Sequence, residues 1–146
     1  MMTTRRITHR RITHRQIALG LLAAAATLIP TACSDDPTVK LSANGALGKE
    51  VSANVGCMAC HSTTGSELVG PSWKGLMGET VTLKGGDEIT IDADYLKRAV
   101  RDPNAERRDD AKGQMPVFDE SRLSDEELDQ VVAYIDDLSK ASASGS

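Results

Sequence analysis

A chain of 146 residues holds one domain's worth of sequence, and not all of it is domain. Its 17 basic residues are outnumbered by 21 acidic ones, an unfavourable balance for binding nucleic acid, whose phosphates need Lys and Arg. Apolar residues make up 40% of the chain, but aromatic residues only 3%, so any core is thin.

The N-terminal 32 residues read as an export signal. Arg5, Arg6, Arg10, Arg11 and Arg15 crowd the start, with "RRITH" written twice, and an uncharged apolar run follows from Ile17 to Ile29. Basic n-region, short h-region and small residues before a boundary are the pattern of a signal peptide, and the run is short for a membrane span. An uncleaved signal anchor is the alternative. The paired arginines lack the apolar pair that usually follows a twin-arginine motif. Cleavage removes five basic and no acidic residues, leaving 12 basic against 21 acidic in residues 33–146, a net of −9. His9 and His14 leave as well, so His61 becomes the single histidine.

Cys33, in "LIPTACSDDP", stands at that boundary. Thr31, Ala32 and Cys33 resemble the lipobox of bacterial lipoproteins, whose cysteine is acylated; Pro30 departs from it, a leucine being usual there. An exported chain with a spare thiol is otherwise unusual. The expectation is lipidation at Cys33 with residues 33–43 as a polar tether, against an ordinary signal with an incidental cysteine.

The mature chain predicts a short helix over 44–55, with Leu47, Val51 and Val55 on one face. Residues 62–78 read as a Gly/Ser/Thr-rich loop. "TVTLKGGDEITI" predicts a β-hairpin about Gly85-Gly86, Val81 and Leu83 on one face, Ile89 and Ile91 on another. Asp92 is placed to cap a helix carrying Leu96, Ala99 and Val100, which Pro103 stops. Residues 104–122 are irregular. Ser124 and Glu127 form a capping box, ahead of Leu128, Val131, Val132, Ile135 and Leu138 at helical spacing. Residues 141–146 read as a disordered tail. So few large apolar side chains are marginal for a domain folding unaided; a large apolar cofactor would complete the core.

Cys57, Cys60 and His61 in "CMACH" admit four readings. A thioredoxin-like pair needs a βαβ context that is missing. Tetrahedral zinc needs a fourth ligand, and no second cluster supplies one. Chance leaves the export signal and the thin core unexplained. The motif is the signature of c-type haem attachment: thiols about one helical turn apart can bond the two vinyl groups of haem, with the histidine under the iron. Haem attachment is the reading that fits, and c haem is attached outside the cytoplasm. The sixth iron position falls to Met58, Met77 or Met115. Met58 lies within the motif, badly placed for the opposite face, whereas Met115 lies in an irregular segment stiffened by Pro116, so Met115 is the expected ligand.

Together these features resemble a class I cytochrome c: a helix running into Cys57–His61, then Gly70-Pro71, Met115-Pro116, and a C-terminal amphipathic helix. The resemblance, over about residues 44–140, is closest to the cytochrome c domain fused to subunit II of some bacterial haem–copper oxidases; "GPSWKGL", "ETVTLKGGDEITID", "YLKRAVRDPNA" and "LSDEELDQVVAYI" carry it. It implies a mainly α fold of short helices around one covalent haem c, with a small β-hairpin insertion. It also implies that the Pro71 carbonyl orients His61 and that Trp73 packs at the haem edge. The copper domain and membrane spans of that subunit have no counterpart here. Ser52 stands where such domains carry an aromatic, which predicts a looser crossing of the first and last helices.

The function so implied is a lipid-tethered monohaem electron carrier, not an enzyme, on the periplasmic side of a bacterial membrane. Its partners would be respiratory redox proteins, a terminal oxidase or a quinol-oxidising complex, and not nucleic acid. The alternatives are a fixed electron-entry subunit of a larger complex, or a ligand-binding or catalytic haem protein if Met115 is not a ligand.

Overall fold

The computed structural model describes residues 39–144. The expected signal peptide, Cys33 and most of the tether lie outside the described residues. The domain begins earlier than expected: Val39 and Leu41 already pack against the core.

The elements in chain order are α1 (Ala43–Asn54), a single 3-10 turn (Cys57–Ala59), β1 (Thr80–Thr82), β2 (Glu88–Thr90), α2 (Ala93–Arg101) and α3 (Asp125–Ser144). The fold is mainly α with one small antiparallel pair, as expected.

Helix α1 starts at Ser42, whose hydroxyl accepts from the Gly45 N–H at 3.0 Å, relieving one of the unpaired donors of the first turn. Asp137 of α3 accepts from both the N–H and the hydroxyl of Ser42, at 2.7 and 2.8 Å, and so fixes the start of α1 to the last helix. The buried face of α1 differs from the predicted one. Gly45, Gly48 and Ser52 face inward, while Leu47 is 47% exposed and Val51 and Val55 are only partly buried. A β-carbon on Gly48 would run into the backbone carbonyl of Gln130, with Val131 N at 2.8 Å, so α1 and α3 touch backbone to backbone. Helix faces of small residues permit that approach, which Leu47 would prevent. Ser52 is correspondingly 0% exposed, its hydroxyl donating to Lys49 O at 2.8 Å. The expectation of a looser crossing is therefore wrong: the small residue sits in a close one.

The hairpin pairs Thr80 with Thr90, Val81 with Ile89 and Thr82 with Glu88. This register puts Val81, Leu83, Ile89 and Ile91 on one shared face, not on two, because cross-strand partners point the same way. That face turns inward, with Val81 and Ile91 buried, and the threonines and Glu88 are exposed. The free edge of β1 is not left bare: Lys84 N donates to Arg107 O and Asp109 N to Thr82 O, each at 2.9 Å.

Helix α2 opens as expected at Asp92, which accepts from Tyr95 N at 2.7 Å, and Arg98 and Arg101 near its end suit the helix dipole. It ends at Arg101, two residues before Pro103. Arg101 then donates to Phe118 O (2.7 Å), Leu123 O (2.8 Å) and Asp125 Oδ1 (2.6 Å), binding the end of the irregular segment to α2 and α3.

The capping box of α3 is present: Ser124 N donates to Glu127 Oε2 at 2.8 Å and Glu127 N to Ser124 Oγ at 3.3 Å. Leu128, Val131, Val132, Ile135 and Leu138 are buried as the spacing requires, together with Tyr134. Residues 141–144, assigned to a disordered tail from composition, are the last turn of α3, where Ser142 and Ser144 donate to Leu138 O and Ala141 O. The four large aromatic residues, Trp73, Tyr95, Phe118 and Tyr134, all lie in the core. No helix among the described residues is long and apolar enough to cross a membrane.

Candidate functional site

An open-mouthed, mostly apolar cavity is enclosed between α2, α3 and the loops that follow α1 and precede α3. Leu128, Val131, Val132 and Ile135 of α3 line it, as do Tyr95 and Leu96 of α2. Apolar side chains that would otherwise close on one another instead face this space. The thin core anticipated from composition is thus a shell.

Cys57, Cys60 and His61 reach the cavity from the 3-10 turn that follows α1. Cys60 N and His61 N both donate to Cys57 O at 3.1 Å, which winds the motif tightly and brings both half-buried thiols to one wall. The thiols are free, not joined in a disulfide. Burial raises the Cys57 pKa, with its own backbone and Arg122 acting the other way, so the isolated side chain stays a neutral thiol. Among the described residues no group of three or more His, Cys, Asp or Glu is arranged to hold a metal ion.

Loop 62–73 folds back over the motif, with Gly70 N donating to Cys60 O (2.9 Å) and Trp73 N to Ser62 O (2.8 Å). This return places Pro71 O 2.8 Å from His61 Nδ1. A carbonyl only accepts, so Nδ1 carries the proton and Nε2 keeps its lone pair available to a metal. Burial lowers the His61 pKa, partly offset by that hydrogen bond, and a neutral imidazole is the ligand form. The Trp73 ring stacks on His61 with centroids 5.3 Å apart and meets Tyr134 edge-on at 6.0 Å, so the imidazole is held in place by packing as well.

Met115 and Pro116 come from the irregular segment before α3 and line the same cavity. Met58 and Met77 pack against the core but are not among the cavity-lining residues; Met77 N is tied to Ser139 Oγ at 2.9 Å. The structure therefore brings together Cys57, Cys60, His61, Met115, Pro71 and Trp73 around one space. Two contributors were not foreseen. Gly70 presses against the His61 ring, for which the Gly-Pro dipeptide was the available signal. Arg107 lines the cavity, and its sequence context, "ERRDD", reads as an ordinary solvated charge run.

An apolar chamber furnished with two thiols, an imidazole and a thioether suits a large, flat, mostly apolar iron porphyrin attached through sulfur. Fold and site together define a small helical haem-enclosing domain. Residues 45–139 match the family model for cytochrome c, and the chain belongs to the cytochrome c family. No curated protein sequence matches it. The class I cytochrome c fold follows, with covalently bound haem c, and the family implies electron transfer with redox partners.

Proposed function

We propose that Cys57 and Cys60 would hold the haem through two thioether bonds, and that His61 and Met115 would ligate its iron. One observation carries this reading: the motif and Met115 line a single apolar cavity, from which Met58 and Met77 are absent. Haem supplies one-electron chemistry at iron. The chain supplies the conditions for it. Pro71 O holds the His61 tautomer and ring plane, Trp73 steadies that ring at the haem edge, and the apolar walls exclude water. Ligation by His and Met raises the reduction potential, which suits delivery to a high-potential acceptor.

The protein so built is a monohaem carrier of single electrons in a respiratory chain, with a terminal oxidase as acceptor. Residues 1–32 direct export, Cys33 is acylated, and the polar stretch to Val39 tethers the domain on the periplasmic side of a bacterial membrane. The net charge of −9 on residues 33–146 favours encounter with a basic patch on the partner. The test is oxidation of the reduced, purified protein by membranes of its own organism, with and without an oxidase inhibitor. Fast oxidation that the inhibitor stops supports the carrier. Absence of oxidation at any ionic strength, with rapid carbon monoxide binding, replaces it with a ligand-binding or catalytic haem protein.

A further inference from the structure

Glu106, Arg107 and Arg108 are the charged residues on the cavity wall. Two of the three are neutralised. Glu106 takes Arg98 at 2.9 Å, and Arg108 takes Asp110 at 2.8 Å and Glu79 at 3.5 Å. Arg107 has no carboxylate partner among the described residues. One terminal nitrogen of its guanidinium donates to Ala111 O at 3.2 Å and to Gly113 O at 3.0 Å. Its Nε is buried without any acceptor, the one such side-chain polar atom among the described residues. A buried N–H of a charged group left unpaired is strongly unfavourable, and a guanidinium's fork of donors matches a carboxylate.

The backbone that presents Arg107 is held from two sides. Lys84 N donates to Arg107 O and Asp109 N to Thr82 O, so β1 gains a second strand-like neighbour opposite β2. On the far side the carbonyls of Ala111 and Gly113 grip the guanidinium itself. The β-hairpin thus fixes one cation at the cavity wall.

We propose that Arg107 is a haem-positioning residue whose Nε–H donates to a propionate carboxylate of the bound haem, and that the hairpin exists in part to hold it there. The inference rests on haem c occupying this cavity. A fixed positive charge beside the cofactor disfavours the oxidised, more positive iron and raises the reduction potential. Arg107 therefore acts on the potential without touching the metal. Arg108, spent on its two carboxylates, does not.

The test uses the reduced, diamagnetic holoprotein with arginine side chains labelled with nitrogen-15. A contact between the Arg107 Nε–H and the haem propionate methylene protons, with slow exchange of that proton, is expected. Arg107→Gln should lower the midpoint potential, Arg107→Lys should restore much of it, and Arg108→Gln should leave it near the parent value. The sulfur-to-iron charge-transfer band, which monitors Met115, should persist in Arg107→Lys. A c-type spectrum with no Arg107–propionate contact overturns the inference but leaves haem binding intact. Equal potentials for Arg107→Gln and the parent also overturn it, as does loss of the Met115 band in Arg107→Lys without that contact in the parent, since Arg107 would then only brace the 111–113 loop. Release of free haem on denaturation would instead remove the covalent haem reading on which it rests.

Discussion

Gly70 lies against the flat of the His61 ring. A β-carbon there would stand 2.5 Å from Cε1, 2.8 Å from Nδ1 and 2.9 Å from Nε2. No side chain fits without moving the imidazole or the loop that carries Pro71. Gly70→Ala is expected to break the His61–Pro71 contact of 2.8 Å and tilt the ring. Overpacking of this kind costs about 1–3 kcal/mol, a fall in Tm on the order of 10 °C for a domain of this size. The oxidised variant should also show a mixed-spin electron paramagnetic resonance spectrum. An unchanged spectrum and Tm would mean that the loop yields and that Gly70 plays no part in orienting His61.

Met115→Ala should abolish the sulfur-to-iron charge-transfer band, lower the potential and open the iron to carbon monoxide. Met77→Ala should keep all three properties, because Met77 packs outside the cavity with its N–H on Ser139. The reverse pattern would make Met77 the distal ligand and overturn the assignment to Met115.

That Met115 lines the cavity was legible because the competing methionines were few and Pro116 marked a stiff loop. The helices were legible where local chemistry decides: Asp92 and the Ser124–Glu127 box cap as expected because a cap needs only residues three apart. The inner face of α1 was not. Its pattern of Leu47, Val51 and Val55 is what an isolated helix shows, whereas the buried face of Gly48 and Ser52 follows from the close approach of Gly48 to Gln130 on α3, far along the chain. The hairpin faces were misassigned for a related reason: a register fixed by pairing Val81 with Ile89 is not contained in either strand alone. Arg107 was hidden because a charge run looks the same whether or not one member turns inward.

Gly48→Ala tests the α1–α3 crossing. The new methyl would meet backbone, not a flexible side chain, so it can be accommodated only by separating the helices. Despite the gain in helix propensity of Ala over Gly, about 1 kcal/mol, the variant should be less stable, with a lower urea midpoint and an unaltered haem spectrum. Equal or greater stability would show that the contact relaxes at no cost.

Cys33→Ser tests the tether. The protein should move from membrane to soluble extracts with its haem spectrum unchanged, since the domain already begins at Val39 and Leu41. Membrane retention of the variant would favour an uncleaved signal anchor.

Acid should unfold the domain through a small set of carboxylates. Glu127 is held below its ordinary pKa by the Ser124 N–H and then its hydroxyl, Asp119 by the Ser121 hydroxyl and the Arg122 N–H, and Asp110 by the Arg108 guanidinium. Each carboxylate binds its proton more weakly folded than unfolded. The stability they contribute is therefore complete above the unfolded values, near pH 4, and is lost as pH falls through the lower folded ones. The urea midpoint of the holoprotein should be level from pH 7 to about 5 and decline below about 4. Glu127→Gln and Asp119→Asn together should lower the midpoint at pH 7 and flatten the acid limb, so that the variant and parent curves converge near pH 2–3. Curves that coincide at every pH would show that these caps add nothing to stability, and curves that stay offset and parallel that their contribution does not depend on ionisation. The acid limb would then belong to other carboxylates or to His61 leaving the iron.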